Sequence, residues 1–152
     1  MRLNRAWIEA RIPHQGRMCL LDEVIDWDAR RIRCRTATHR APDNPLRAHD
    51  RLGIACGIEY AAQAMALHGA LAGGAADPNP GASQVGLLAS VRGVYFCVLR
   101  LDDIESDLIC EATHLAGNDL TALYDFALRD RNRSLLSGRA SVVLDAAGRL
   151  KP

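Results

Sequence analysis

The first part of the chain alternates between apolar and polar positions in a way that predicts strands. Residues 31–38 place apolar or hydroxyl side chains on one face and arginines on the other, and residues 18–27 are rich in apolar and β-branched side chains. A period of two predicts a strand with one face on a core. The two segments flank residues 28–29, so they predict a hairpin. Before them, an amphipathic piece over residues 5–11 ends at the Pro/Gly turn of residues 13–16.

The middle of the chain has a different texture, which is typical of a buried helix. Residues 54–71 are dense in alanine, leucine and methionine and contain no proline, which is helix composition. The strongly polar side chains of this stretch are Glu59, Gln63 and His68. A helix on the surface would carry a charged stripe, so this one belongs inside a sheet. Residues 40–53 before it predict a loop, residues 73–74 end it, and residues 75–83 predict a mobile connector.

Strand patterns return beyond the connector. They cover residues 85–101, 108–115, 121–129 and 135–144, with turns at residues 117–118 and 131–132. The order is therefore two strands, one buried helix, then three or four long antiparallel strands. A lone apolar helix has to be wrapped by a sheet that is apolar on its concave face. The sequence thus predicts the α+β class and a hotdog fold, formed as one domain by residues 1–152 because 49% hydrophobic residues suffice for one core.

Composition excludes several function classes. Nineteen basic and eighteen acidic residues give a formal charge of +1 without a basic block, so nucleic acid is not an expected partner. The charged N-terminal residues 1–11 match neither a signal peptide nor a membrane span, which predicts a cytoplasmic protein with no membrane partner. The five cysteines are scattered without a close pair, so we expect buried thiols, no metal site and no cofactor.

The predicted helix carries the most informative polar residues. Glu59 and Gln63 stand four positions apart and project from the same helix face. A carboxylate on an apolar helix is costly unless it is paired or used in chemistry. One structural alternative is a helix-start glutamate favoured by the macrodipole, although a helix that begins near Gly53 would place Glu59 in its second turn. The other is an ion pair at a subunit contact.

Two segments resemble a known family. The helix carries GIEYAAQA at residues 57–64, which resembles the helix motif of the β-hydroxyacyl-acyl-carrier-protein dehydratases. Residues 12–24, IPHQGRMCLLDEV, resemble the N-terminal segment of the same family, with Pro-His, a short turn, apolar residues and an aspartate before a strand. The length of the chain and the GIEY helix start are most similar to the ApeP-like subgroup, which is associated with aryl-polyene gene clusters.

This resemblance implies elimination of water across C2 and C3 of a carrier-bound 3-hydroxyacyl thioester, in fatty-acid or aryl-polyene-type biosynthesis. The implied partners are an acyl carrier protein with its phosphopantetheine thioester, and a second hotdog subunit in a homodimer or hetero-oligomer. The family uses a loop histidine, a helix carboxylate from the other subunit, and N–H groups at the helix N-terminus. Glu59 matches the carboxylate and Gly53 to Gly57 match the donors, while Gln63 and Asn44 are expected to contact substrate.

The family's histidine is missing from its usual place. Counting back from Glu59 leads to residues 44–45, and the His-Phe-Pro-Gly motif is absent. His14, in the N-terminal motif, is the first replacement candidate, with a turn residue bonded to backbone as the alternative. His49, ten residues before Glu59, is the second, with a solvated surface histidine as its alternative. His68 lies roughly 180° around the helix from Glu59, and the remaining two, His39 and His114, fall on predicted strands and are expected to be structural.

Three functions remain open at this point. The first is an active dehydratase with a repositioned histidine, and the second is a catalytically weak subunit that supports an active dehydratase. The third is a hotdog acyl thioesterase in which Glu59 activates water. For a Glu59 that lies in an apolar tunnel, the sequence predicts a raised pKa, because desolvation disfavours the carboxylate.

Overall fold

A computed structural model of the chain describes residues 2–73, 85–131 and 133–145. Its elements in chain order are β1 (Leu3–Asn4), α1 (Arg5–Glu9), β2 (Glu23–Trp27), β3 (Arg31–Thr36), α2 (Gly57–Ala72), β4 (Val85–Phe96), β5 (Leu108–Gly117), β6 (Thr121–Arg129) and β7 (Ser134–Asp145). Short 3₁₀ turns occupy Gly16–Met18, Thr38–Arg40 and Ile54–Cys56. The predicted positions at residues 74, 75–83 and 132 lie outside the described residues.

The strands form a seven-stranded antiparallel sheet in the order β1-β2-β3-β5-β6-β7-β4. The predicted β2–β3 hairpin is confirmed, with Trp27 opposite Ile32 next to the turn. Strand β3 then pairs with β5, so the whole segment that contains α2 is inserted between two neighbouring strands. One long helix against one antiparallel sheet confirms the predicted α+β hotdog architecture.

Helix α2 is buried, as its composition predicted. Most of its side chains are inaccessible to solvent, and it packs against β3, β4, β5 and β6. At its first residue, a Cβ atom on Gly57 would overlap the Leu136 side chain and lie 2.9 Å from Leu128 Cδ2, so any larger residue there would force these leucines to shift. The 3₁₀ turn Ile54–Cys56 precedes α2, which puts Glu59 in the first turn of the α-helix. The expectation of a second-turn position was wrong for this reason.

Strand β4 forms one edge of the sheet and is shorter than the predicted segment. The apolar run of residues 85–101 predicted a strand covered on more than one side, with two hotdog subunits paired edge to edge into a continuous sheet. The strand ends at Phe96, and Leu87, Leu88 and Phe96 are 43%, 41% and 50% exposed. The residues after it turn back towards the core, where Leu101 is fully buried. Within the described residues, β4 is therefore an apolar edge with a neighbour on one side only, which is β7.

Three further expectations are corrected. The predicted strand at residues 18–27 begins only at Glu23, because the preceding residues form a 3₁₀ turn and an extended crossing over α2. His39 lies in the 3₁₀ turn Thr38–Arg40 and not in a strand, although it is buried and its Nε2 contacts the Ile104 carbonyl oxygen at 2.9 Å. All five cysteines were expected to be buried. Cys97 is exposed because it follows the end of the edge strand, and Cys56 is half-buried.

Candidate active site

The site is built around a contact between the helix carboxylate and the first of the candidate histidines. His14 Nε2 lies 3.0 Å from Glu59 Oε1, within hydrogen-bonding distance. Glu59 projects from the first turn of α2, and His14 lies in the segment that joins α1 to the 3₁₀ turn Gly16–Met18. Their side chains are 28% and 35% exposed. The structure therefore brings these two predicted residues together within one chain.

Gln63 holds the segment that follows His14 against the helix. Its side chain is fully buried, its Nε2 donates to the Met18 carbonyl oxygen at 2.7 Å, and its Oε1 accepts from the Leu20 N–H at 2.9 Å. Both ends of the amide are thus used on backbone groups that β-pairing leaves open. In the free protein Gln63 positions the segment that bears His14, whereas the sequence suggested a contact with substrate.

Arg5 fixes the same segment from the other side, and sequence reasoning missed it. Its guanidinium donates to the Gly16 carbonyl oxygen at 2.9 Å and the Cys19 carbonyl oxygen at 2.5 Å, and it forms an ion pair with Asp22 at 3.2 Å. An arginine in a short amphipathic helix looks like an ordinary solvated charge, so no signal in the sequence pointed to this role. Together with Gln63, it ties the residues on both sides of the 3₁₀ turn to the body of the domain.

The charge state of the pair follows from its contacts. The hydrogen bond from His14 lowers the pKa of Glu59, burial raises it by less, and a further hydrogen bond from Gln63 also lowers it. The net direction is down, so the predicted raised pKa was wrong. The physical reason is that the imidazole beside the carboxylate outweighs the loss of solvent. The other nitrogen of the ring, His14 Nδ1, is buried and has no hydrogen-bond partner among the described residues.

The His14–Glu59 pair borders a cavity of about 250 Å³, here named the dyad cavity. Apart from the pair, its wall is apolar and consists of Pro13, Ala62, Met65, Ala66, Leu87, Leu88 and Val142. Alanines on α2 leave room along the helix, and the two leucines belong to the exposed edge strand β4. An acid–base pair beside a narrow apolar space suits a ligand with a reactive polar group and a hydrocarbon tail.

The other candidate residues lie elsewhere. His49 is exposed, has a backbone φ of 53°, and does not line the dyad cavity. Asn44 is buried and its Nδ2 donates to the Thr38 carbonyl oxygen at 2.9 Å and to Tyr60 Oη at 3.0 Å, so it organises the loop before the helix. Gly53 and Gly57 also fall outside the cavity lining.

Most of the backbone donors expected at the helix start are already in use. The Ile54 N–H donates to the Leu99 carbonyl oxygen at 3.1 Å, and the Cys56 N–H donates to the Gly53 carbonyl oxygen at 3.0 Å. The Gly57 N–H donates back to the carbonyl oxygens of Ile54 and Ala55. These three groups are not free to bind a thioester oxygen, so the expected role rests on the Gly53 and Ala55 N–H groups.

The described part of the chain contains no group of three or more His, Cys, Asp and Glu side chains arranged to hold a metal ion. In residues 2–73, 85–131 and 133–145, no helix is long and apolar enough to cross a membrane.

The fold and the family match define a dehydratase-like hotdog protein. The chain belongs to the ApeP-like family, described as ApeP dehydratase, whose model matches residues 6–148. No curated protein matches the sequence.

Solved structures share the fold at low sequence identity. A chain of the dehydratase heterocomplex ApeI:P from Xenorhabdus doucetiae is 20% identical, with 94% of this chain and 93% of that chain covered and a TM-score of 0.80. A mutant thioesterase from Pseudomonas aeruginosa is 10% identical, with coverages of 80% and 79% and a TM-score of 0.58. A hypothetical thioesterase from Streptococcus pneumoniae with coenzyme A is 10% identical, with coverages of 81% and 84% and a TM-score of 0.59.

Proposed function

We propose that the chain removes water from 3-hydroxyacyl thioesters carried on the phosphopantetheine arm of an acyl carrier protein, with His14 and Glu59 as its acid–base pair. The observation that carries this proposal is the 3.0 Å contact between His14 Nε2 and Glu59 Oε1 beside an apolar cavity. Membership of the ApeP-like family supports the same reaction class. The carrier protein and a cytoplasmic location are parts of the proposal.

The elimination breaks the C2–H and C3–O bonds and forms the C2=C3 double bond. It needs a base for the C2 proton and an acid for the departing hydroxyl. A pair with one transferable proton supplies both, since one member accepts the C2 proton while the other protonates the hydroxyl, which leaves as water. After the product leaves, the pair regains its short contact, and the proton returns across it from the base to the acid. The lowered pKa of Glu59 favours its ionised form in the free enzyme.

Both members of the pair belong to one chain, which bears on the choice between an active enzyme and a supporting subunit. In the family pattern the histidine and the carboxylate come from different subunits, and this chain lacks that loop histidine. His14 fills the role from the N-terminal segment, and Gln63 and Arg5 hold that segment in place. A complete pair in each chain favours an enzyme with its own activity over a subunit that only supports a partner.

The edge strand β4 gives the proposed interface with a second hotdog subunit. It presents unpaired backbone and the exposed side chains of Leu87, Leu88, Tyr95 and Phe96, and such an edge is usually covered in native proteins. Leu87 and Leu88 also line the dyad cavity, so a subunit paired along β4 would close that cavity. The ApeI:P heterocomplex is a precedent for a hetero-oligomer, and a homodimer uses the same edge.

A thioesterase is the second candidate, because an ionised carboxylate that borders the cavity can accept a hydrogen bond from an attacking water and orient it. One assay separates the candidates. Purified protein, alone and with candidate hotdog partners, is incubated with 3-hydroxybutyryl-carrier protein and with the coenzyme A thioester, and the enoyl product and free thiol are measured. Enoyl product from the chain alone, abolished by His14→Gln, supports the proposal. Thiol release without enoyl product points to the thioesterase, and activity that appears only with a partner and survives His14→Gln points to a supporting subunit.

A further inference from the structure

A second cavity lies further along α2, towards the C-terminal end of that helix. Its volume is about 230 Å³, and we call it the distal cavity. It shares Met65, Ala66 and Val142 with the dyad cavity, so the two spaces adjoin on either side of these three residues. Three polar aromatic side chains also line it: His68, His114 and Tyr124.

Helix geometry shows how the two cavities are arranged. Glu59 and His68 are nine residues apart, which is about 14 Å along the axis and roughly 180° around it. Between them runs a strip of small residues, Ala62, Ala66 and Gly69, that lines one cavity or both. Glu59 and His68 therefore lie on opposite sides of the helix and at different heights along it, with the strip of small residues between them. An extended acyl chain bound at the dyad would follow the strip towards His68.

Two of these three side chains, His68 and Tyr124, are almost fully buried, and their protonation follows from their partners. His68 is 1% exposed and Tyr124 is 3% exposed. His68 Nε2 lies 3.0 Å from the Asp28 carbonyl oxygen, which can only accept, so Nε2 carries a proton. Burial lowers the pKa of His68 and favours the neutral ring. Its Nδ1 is then an acceptor, and the Tyr124 hydroxyl donates to it at 2.8 Å.

This arrangement leaves hydrogen-bonding capacity that faces the cavity. Tyr124 Oη has used its proton on His68 and keeps lone pairs that can accept a hydrogen bond. The half-buried ring of His114 lies with its centroid 5.3 Å from that of Tyr124, and neither of its nitrogens has a hydrogen bond within the described residues. A neutral imidazole offers one donor and one acceptor. The Tyr124 lone pairs and the His114 ring therefore leave a donor and acceptors along the wall of the cavity, which can pair with a polar group of a ligand.

We propose that the distal cavity binds the far end of the acyl group and that this end carries a hydroxyl. The hydroxyl donates to Tyr124 Oη and accepts from His114, while the chain between it and the thioester lies along the small-residue strip. This inference rests on the proposed function only in taking a thioester at the dyad. It adds a preference for acyl chains with a terminal hydroxyl over chains without one. An entirely apolar tunnel would not have this preference, since desolvating a hydroxyl without partners is unfavourable.

Binding of saturated thioesters tests this without any need for turnover. Acyl-pantetheines from hexanoyl to dodecanoyl, each with and without a terminal hydroxyl, are titrated calorimetrically into wild type, His114→Leu, Tyr124→Phe and Glu59→Gln. At the chain length that reaches the cavity, wild type should bind the hydroxylated ligand about tenfold or more tightly, as expected for a site that hydrogen-bonds a hydroxyl. His114→Leu should lose most of this preference while the buried contact between His68 and Tyr124 remains.

The outcomes separate this inference from the proposed function. Glu59→Gln should keep the hydroxyl preference, because the dyad is about 14 Å away along the helix. A preference in wild type together with no dehydration would leave the distal site standing and remove the proposed reaction. Equal binding of both ligands at every chain length, no binding of either, or a preference that survives both His114→Leu and Tyr124→Phe would overturn the distal site.

Discussion

Replacing Glu59 by glutamine separates a catalytic carboxylate from a structural one. Glutamine keeps the shape of the side chain and still accepts a hydrogen bond from His14 Nε2, but it cannot take up a proton. If the pair performs the elimination, turnover should fall by roughly two to four orders of magnitude. A helix-start or ion-pair role predicts a loss of stability instead, with the rate of the folded fraction unchanged.

The structure limits how much stability this substitution can cost. Both side chains are about one-third exposed, so water screens their attraction, and such pairs contribute only about 0–1 kcal/mol. For a chain of this size that corresponds to a fall in Tm of at most about 4 °C. The pKa of Glu59 is lower in the folded state than in the unfolded state. Its stabilising contribution is therefore present above the unfolded value of about 4.3 and is lost as the pH falls through the folded value.

Melting and dehydration are measured on the same preparations of wild type and Glu59→Gln, with Glu105→Gln as a matched control because Glu105 is exposed and lies outside the cavity. The stability gap between wild type and Glu59→Gln should narrow as the pH is lowered below about 4. The control should match wild type in rate. A large fall in Tm with an undiminished rate would refute the acid–base role of Glu59.

Three other substitutions test the supporting structure. Gln63→Leu removes both hydrogen bonds to Met18 and Leu20, so it should destabilise the protein by about 3 kcal/mol in denaturant titrations. It should also reduce turnover, because the segment bearing His14 is released. Wild-type turnover in the folded fraction would contradict this. Gly57→Ala forces a methyl group into Leu136 and should cost about 1–3 kcal/mol, so an unchanged unfolding midpoint would mean that the helix start can shift. His49→Asn keeps a residue that tolerates positive φ and should leave turnover unchanged; a rate loss above tenfold would restore His49 as a candidate.

The fold could be predicted because its pattern is local. Alternation gave the β2–β3 hairpin and the later strands, and the apolar composition of residues 54–71 gave a helix that had to be enclosed. The errors lie where long-range contacts override local pattern. Residues 18–22 look like the start of a strand, yet Gln63 and Arg5 take up their backbone groups and hold them out of the sheet. The strand predicted over residues 85–101 ends at Phe96, because the residues after it turn back to the core, and the covering of its exposed edge by a second subunit stays a prediction.

The sequence singled out the candidate residues of the site but not their contacts or the direction of the Glu59 pKa. Spacing singled out Glu59 and Gln63, and the N-terminal motif singled out His14, but no local rule says that residues 45 positions apart will touch. The contact between His14 and Glu59 also decides the direction of the Glu59 pKa. Burial alone raises the pKa of a carboxyl group, and the imidazole at 3.0 Å is the main reason why the direction is reversed for Glu59, with a smaller contribution from Gln63. The engagement of Asn44 within its own loop is likewise a tertiary contact that spacing could not reveal.

The helix-start and catalytic interpretations of Glu59 are compatible, and the structure explains why. Glu59 lies in the first turn of α2, where the positive end of the helix dipole favours a carboxylate. The same position faces His14 and the dyad cavity. A carboxylate that is stabilised in this way is a weak base, so the pair depends on substrate to change its surroundings. An acyl group that enters beside Glu59 would separate it from His14 and exclude water, which removes the largest cause of the lowered pKa and increases the burial that raises it. The carboxylate would thus become more basic at the moment when a proton has to be moved.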